Sequence, residues 1–441
     1  MPSQQVAMTG TLRALIGTVG HMLSGNAASA LVGLAATALS ARALGPVDYG
    51  VLALTLGYTR AVERLVTFQS WQPLIKYGAA LTGIGDKTDL RALLKFGLVL
   101  DLAGAGLAWL VAIAIALVAG QQLGWSDQTR QVVLIYCCVL PFNLNGMTTA
   151  VLRLFGRFRL AAYGPVGGGL VRLALCAVAL EAGAGLVTFT AIWMATQIAG
   201  ALFSLLLAFR VLRDNGVHGV LAAPLAGVTR RFEGLWSFAW SSNLSLTLRS
   251  SANQFDILIV GALAGPAAAG LYNIAKRVGR LAEQVATQVQ AVLYPDIARA
   301  WSAGRVADVR RTVWQAEWLL FGTGALGVLF FLVGGETLLR RLAGDAFAGA
   351  APLVIVQMVA VTLAMTGTGA RSALLAMGRQ RQVLLATLAG TLGFHLTALL
   401  LIPRIGAMGA NIAHIVLAVI ASAWMITSFR SASRLPNPEA A

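Results

Sequence analysis

Apolar residues run in long stretches broken by short polar, glycine- or proline-bearing segments, and the stretches are of bilayer-crossing length. A window of about 19 residues, matched to a hydrocarbon core about 30 Å thick, places spans at 14–40, 49–72, 93–119, 131–154, 163–182, 187–209, 236–262, 268–293, 313–334, 351–376, 383–402 and 408–429. The pattern predicts twelve membrane helices. In the eighth, Asn273, Arg277, Arg280, Gln284 and Thr287 recur at steps of four, three, four and three, which puts them on one face of a helix. Lys276, Glu283 and Gln290 lie on the flank of that stripe, while Ile274, Val278, Leu281 and Val285 make the opposite side apolar. The second span repeats the device with Arg60, Glu63, Arg64, Thr67 and Trp71, and the seventh with Ser242, Ser245, Arg249, Asn253 and Asp256. A charge at mid-membrane costs roughly 2.5–3.5 kcal/mol on insertion scales and marks a functional site by default.

The polar breaks between spans carry a repeat. Gly45-Pro46 to Gly50 after the first span and Gly265-Pro266 to Gly270 after the seventh share a Gly-Pro-x-x-x-Gly frame at an offset of 220. Gly156-Arg157-Phe158-Arg159 after the fourth span and Gly378-Arg379-Gln380-Arg381 after the tenth agree at an offset of 222. Two frames at nearly one offset, each at the same point of a six-span unit, predict an all-α polytopic protein of two six-helix lobes. Six spans return the chain to its starting side, so a pseudo-two-fold axis along the membrane normal is expected. The lobes are expected at 1–212 and 232–430, joined by a cytoplasmic linker at 213–231 and followed by a tail at 431–441.

Composition fits this class and narrows the partners. The 441 residues are 58% hydrophobic and 11% charged, with a mean hydropathy of +0.76. Thirty-three Lys and Arg against 17 Asp and Glu give +16. With the N-terminus inside, 20 of the bases fall in cytoplasmic segments and 5 outside, so both termini are expected in the cytoplasm. No nucleic-acid motif accompanies the basic residues. Cys137, Cys138 and Cys176 lie in apolar stretches and imply no disulfide framework. His21, His218, His395 and His414 are scattered without metal-ligand spacing, and His395 and His414 read as packed or hydrogen-bonded helix residues. The Gly167-Gly168-Gly169 run lacks the Lys-Ser/Thr of a phosphate loop and reads as close helix packing. Neither an enzyme, a cofactor nor a metal site is indicated.

The remaining eight bases, Arg60, Arg64, Arg172, Arg249, Lys276, Arg277, Arg280 and Arg371, fall within spans. Six acids at most face them: Glu63, Asp101, Glu181, Asp256, Glu283 and Glu317. Internal ion pairs such as Arg60 with Glu63 or Arg280 with Glu283 account for part of the cluster. The surplus of cations calls for an anionic substrate or a hydrated vestibule.

Five stretches carry a family resemblance: Ala43-Leu-Gly-Pro-Val-Asp-Tyr-Gly50, Leu74-Ile-Lys-Tyr-Gly78, Phe255-Asp-Ile-Leu-Ile-Val-Gly261, Ala269-Gly-Leu-Tyr-Asn-Ile-Ala275 and Leu293-Tyr-Pro-Asp-Ile-Ala298. Nearly the whole chain resembles the Wzx-type polysaccharide flippases, relatives of the lipid II flippases and the MATE exporters. The resemblance implies a multi-pass protein of the bacterial inner membrane that flips undecaprenyl-pyrophosphate-linked oligosaccharide for O-antigen, capsule or exopolysaccharide assembly. It also implies a V-shaped pair of lobes around a cationic cavity, and partners comprising the lipid bilayer, a polysaccharide polymerase and a coupling cation, H+ or Na+. On this reading Arg60, Arg64, Arg249, Lys276, Arg277 and Arg280 bind the pyrophosphate, and Glu63, Asp256 and Glu283 balance charge or take the coupling cation. Twelve spans depart from the fourteen of the lipid II flippases. An ion-coupled exporter of drugs or metabolites is the competing class, and would favour an acidic or apolar cavity. A membrane glycosyltransferase or polymerase would need a large outer loop or an acidic catalytic motif, and neither is visible.

Overall fold

The computed structural model describes residues 2–68, 70–83, 87–122 and 124–434, and only the backbone for 2–20, 22, 23, 238 and 241–253. Among these every regular element is helical. Ten segments are long and apolar enough to cross a membrane. Two of them, Ser24–Val66 and Gln254–Ser302, are parts of the longer helices Pro2–Val66 and Leu235–Ser302, each broken once within, and counting two spans in each of these helices is consistent with the expected twelve. The breaks are Gly45 (φ 68°, ψ 176°) and Gly265 (φ 84°, ψ 171°), in a backbone region open essentially to glycine alone. Pro46 and Pro266 follow, and proline disfavours helical geometry in the residue before it while fitting the first turn of the helix it begins. The chain therefore turns a corner at each Gly-Pro without a loop.

The residues form two compact units, Met1–Ala36 with Thr55–Ser250, and Thr37–Leu54 with Ser251–Ala441. In the second unit the two Gly-Pro frames pack on each other. A Cβ on Gly270 would lie 2.6 Å from the Pro46 carbonyl oxygen, and one on Gly50 would overlap the Pro266 carbonyl. Both closing glycines of the repeat thus exist because a backbone passes where a side chain would stand. The second repeat pair is equally concrete. Gly156 and Gly378 have φ of 66° and 71° and close the same helix-ending motif, with Arg157 N–H donating to Leu152 O (2.7 Å) and Arg379 N–H to Leu374 O (2.8 Å).

The first unit has a core of Leu74, Leu93, Leu94, Met147, Val151 and Leu212. Its junction segment is fastened rather than loose: Val217, Val220 and Val228 are buried in that core. Lys95 Nζ donates to Ala223 O (2.7 Å), and Arg231 pairs with Asp89 (2.9 Å). Gly167 and Gly168 do not pack closely, contrary to the expectation from the Gly167-Gly168-Gly169 run, and Gly164 is as open as they are. Nothing stands within 4 Å of a Cβ at any of them, and they floor an apolar groove of about 490 Å³ between Phe158–Glu181 and Leu186–Asp214. Only Gly169 has a close neighbour, Val32.

Two buried acids that sequence could only count turn out to hold broken helices together. The fourth span runs as Asp127–Cys137, a single 3-10 turn at Leu140–Phe142, and a second half Asn145–Leu154. The tenth is likewise split into Ala351–Met365 and Thr368–Ala376. A second-half helix starting inside the protein exposes N–H groups with no intrahelical acceptor. Asp101 of the third span accepts from Met147 N–H (2.7 Å) and from the Ser70 hydroxyl (2.5 Å). Glu317 of the ninth accepts from Ala370 N–H (3.0 Å). A glycine precedes the capped residue in both, since a Cβ on Gly146 or Gly369 would crowd the carboxylate. Glu181, counted with the buried acids, is instead exposed at the last residue of its helix, where its side chain escapes the apolar layer.

Candidate functional site

The charged stripe of the eighth span divides into an inner and an outer set. Lys276 lies one turn after Tyr272 on a common helix face, and both point into the second unit. There Lys276 Nζ donates to Asp256 Oδ1 at 2.5 Å, and the Tyr272 hydroxyl donates to Oδ2 at 2.7 Å. Ile257 N–H adds a third donor to Oδ1 (2.7 Å). His414, from the twelfth span, places Nε2 3.2 Å from Oδ2 and 2.9 Å from the Tyr272 oxygen. Its ring lies 4.7 Å from that of Phe394, centroid to centroid, and is stacked parallel to Tyr272. Asp256 is 0% exposed and Lys276 8%. Four neighbours contact the two carboxylate oxygens, and this geometry pairs Asp256 with Lys276 as its counter-ion.

The outer set differs. Arg277 and Arg280 are half-buried and Glu283 is exposed. Asn273 Nδ2 donates to the Tyr49 hydroxyl (2.6 Å), and the charges of Arg277 and Arg280 act on the same phenol. Tyr49 itself is fixed edge-on against Phe347 at 5.7 Å. Glu283 lies within electrostatic reach of Arg280, Lys276, Asp256 and His414.

In the first unit Arg60 and Arg64 are exposed one helical turn apart, with Glu63 half-buried between them and within reach of the Asn143 side chain. An exposed guanidinium in an apolar span faces water or a polar ligand rather than lipid, because hydrocarbon would leave its five donors without acceptors. Arg172, another base in a span, is satisfied internally. Its Nε donates to Thr196 Oγ1 (2.8 Å) and its guanidinium sits 4.5 Å over the Trp193 ring. Ser242, Ser245, Arg249 and Asn253 lie outside the residues whose side chains are described.

The structure thus brings together Asp256, Lys276, Arg280 and Glu283, and separately Arg60, Glu63 and Arg64. The residues that sequence reasoning missed are Tyr49, Tyr272, Asn143 and His414. Tyr272 was accessible in principle, at four residues before Lys276; His414 lies 142 positions from Tyr272 and has no local signal. Among the described residues no group of three His, Cys, Asp or Glu forms a metal site. The His395 ring hydrogen bonds to Thr391 O at 2.8 Å within its own helix.

Comparison with known proteins agrees with this architecture. The family described as polysaccharide biosynthesis protein matches residues 17–301. The inner membrane protein YghQ of Escherichia coli (strain K12) is 28% identical over 353 residues, which is 78% of this chain and 97% of that one. Among solved structures, the lipid II flippase MurJ in an inward closed conformation is similar with a TM-score of 0.69 at 14% identity, covering 93% of this chain and 87% of that one. An inward-facing multidrug resistance MATE transporter of the MOP superfamily gives 0.66 at 16% identity, covering 94% and 95%. At these identities the two structures establish a shared fold.

Proposed function

Because the chain belongs to the polysaccharide biosynthesis protein family, we propose that it flips undecaprenyl-pyrophosphate-linked oligosaccharide units across the bacterial inner membrane by alternating access. The product would feed O-antigen, capsule or exopolysaccharide assembly, with a polymerase downstream. The observation that carries the reading is the exposure of Arg60 and Arg64 inside an apolar span. A pyrophosphate carries the negative charge and the acceptor oxygens that exposed guanidinium forks in a polar lumen are suited to bind. Arg60, Arg64, Arg249, Arg277 and Arg280 serve as the phosphate ligands on this reading. Lys276 contributes by keeping Asp256 neutralised, and Glu63 and Glu283 limit the net charge. The expected lobes at 1–212 and 232–430 are the moving parts. A drug exporter on the same fold is supported less well, because organic cations would be repelled by these stripes.

Proteoliposomes test it. The purified protein should accelerate transbilayer movement of a fluorescent undecaprenyl-pyrophosphate oligosaccharide and leave a cationic dye unmoved. The opposite selectivity would replace the flippase by an exporter. Orientation is tested independently. A cysteine introduced at Gly216 in a chain lacking its own three should react with a membrane-impermeant thiol reagent only after cells are opened, since 213–231 and both termini are proposed to be cytoplasmic. Labelling in intact cells would invert the topology.

A further inference from the structure

We propose that Glu317 is a proton-binding site, whose carboxyl group holds a proton in one state of the transport cycle and releases it in another. The proposal rests on the transporter reading above but concerns a residue outside the cationic stripes. Glu317 is 6% exposed. Its Oε1 accepts from Ala370 N–H, whereas Oε2 has no hydrogen-bond partner among the described residues and is itself buried. Val313 and Ala370, its neighbours here, belong to an apolar core that also holds Ala373 and Leu374. An ionised carboxylate with one oxygen unsatisfied in such a place is costly, and a buried group escapes that cost by taking up a proton.

The equivalent acid of the other half provides the internal contrast. Asp101 caps its broken helix in the same way, after the same glycine, yet both of its oxygens are satisfied, by Ser70 and Met147. Each oxygen of Asp101 meets a donor, and Glu317 lacks the second one. The asymmetry is in the residues, since no hydroxyl takes the part of Ser70 beside Glu317 among the described residues.

A metal cation fits the place poorly. The carboxylate sits at the N-terminus of Thr368–Ala376, the positive end of a helix dipole, and the donors that meet it are backbone N–H groups beside the Val313 side chain, not the several oxygens that a hard cation requires. A proton needs one lone pair. The charged groups on the packed elements have other engagements. On the tenth span Arg371 follows Ala370 and is half-buried with contacts of its own. On the twelfth, Arg430 lies 5.0 Å over the Trp314 ring. On the eighth, Arg299 pairs with Asp296. Among the described residues none forms an ion pair with Glu317.

Protonation would act on the break of the tenth span. A carboxylate at a helix N-terminus is favoured by the exposed N–H groups and by the dipole, and a neutral carboxylic acid loses most of that advantage while gaining an O–H that seeks an acceptor. Uptake of a proton therefore loosens the hold of the ninth span on 368–376, and release restores it. That gives a transport cycle a proton-dependent joint.

Infrared difference spectroscopy on the full chain in lipid vesicles reads the proton directly. As pH is stepped, wild type should show a carbonyl band of a protonated carboxylic acid, lost in Glu317→Gln and kept in Asp101→Asn. Glu317→Asp should move the midpoint of the band without abolishing it, which keeps the test sound should Glu317→Gln fold poorly. Bands unchanged by Glu317→Gln, or a midpoint unmoved by Glu317→Asp, would overturn the proposal. In the flipping assay Glu317→Gln should lose the response to an imposed pH gradient. Spectra need no substrate, so a protonating Glu317 in vesicles that fail to move lipid-linked oligosaccharide would sink the flippase reading and leave the proton site standing.

Discussion

Lys276→Met should destabilise the purified protein by about 3–5 kcal/mol, the cost of leaving one member of a buried ion pair alone. The size of the effect follows from the geometry. Asp256 is wholly buried and Lys276 nearly so, their charged atoms are 2.5 Å apart, and a second-unit helix would have to move to admit water. Methionine fills much the same volume as lysine, so the loss is electrostatic rather than a cavity. Adding Asp256→Asn to Lys276→Met should recover most of the stability, because a neutral pair of similar size removes the uncompensated charge, and buried pairs replaced together are often neutral or better. Thermal unfolding in detergent, followed by tryptophan fluorescence, measures both. A single Lys276→Met as stable as wild type would mean that Tyr272, Ile257 and His414 alone satisfy Asp256, and would reopen Lys276 as a phosphate ligand.

What the sequence made legible was what repeats within a few residues. The i, i+3, i+4 steps of Arg277, Arg280 and Gln284 identified a charged face, and the face is real: Arg280 and Glu283 remain on its outer side while Lys276 turns inward. The Gly-Pro-x-x-x-Gly frames marked the ends of two spans, and the structure supplies the reason in the Gly50 and Gly270 backbone contacts. Pairing across distant positions was not legible. Asp256 and Lys276 lie on two spans joined by the Gly265 corner, so helical spacing on either span alone could not align them. His414 could be read only as a hydrogen-bonded helix residue, which is correct but says nothing of its partner.

Helix breaks were equally hidden, and they explain why Asp101 and Glu317 were counted without a role. A hydropathy window takes the fourth and tenth spans as one unit each, because it averages over Asn143-Leu144-Asn145-Gly146 and Thr366-Gly367-Thr368-Gly369. Each tetrad interrupts the helix, and the two acids meet the amide groups set free. A buried acid opposite a polar, glycine-bearing interruption in the next span is a pattern that could be searched for in other chains of this kind.

Arg280→Glu should abolish surface polysaccharide while the protein remains inserted and abundant. Arg280 is half-buried at the outer edge of the stripe, so its loss opens no core, and the inner pair of Asp256 and Lys276 is left in place. A guanidinium bonded to phosphate contributes about 1.5–3 kcal/mol, roughly tenfold to a hundredfold in affinity. Reversal adds repulsion from a carboxylate placed beside Glu283, which is exposed on the same flank. Arg305→Glu is the control. Arg305 pairs with Asp308 at 3.1 Å on an exposed surface, where such pairs are worth under about 1 kcal/mol and are screened, so export should persist. The pair exchange Arg280→Glu with Glu283→Arg separates binding from scaffolding. A scaffold needs only opposite charges at the two positions, so the exchange would restore it. A phosphate site needs the fork at position 280, and the exchange should stay inactive although protein levels and melting temperature match wild type. Full polysaccharide export from the exchanged protein would remove Arg280 from the phosphate site.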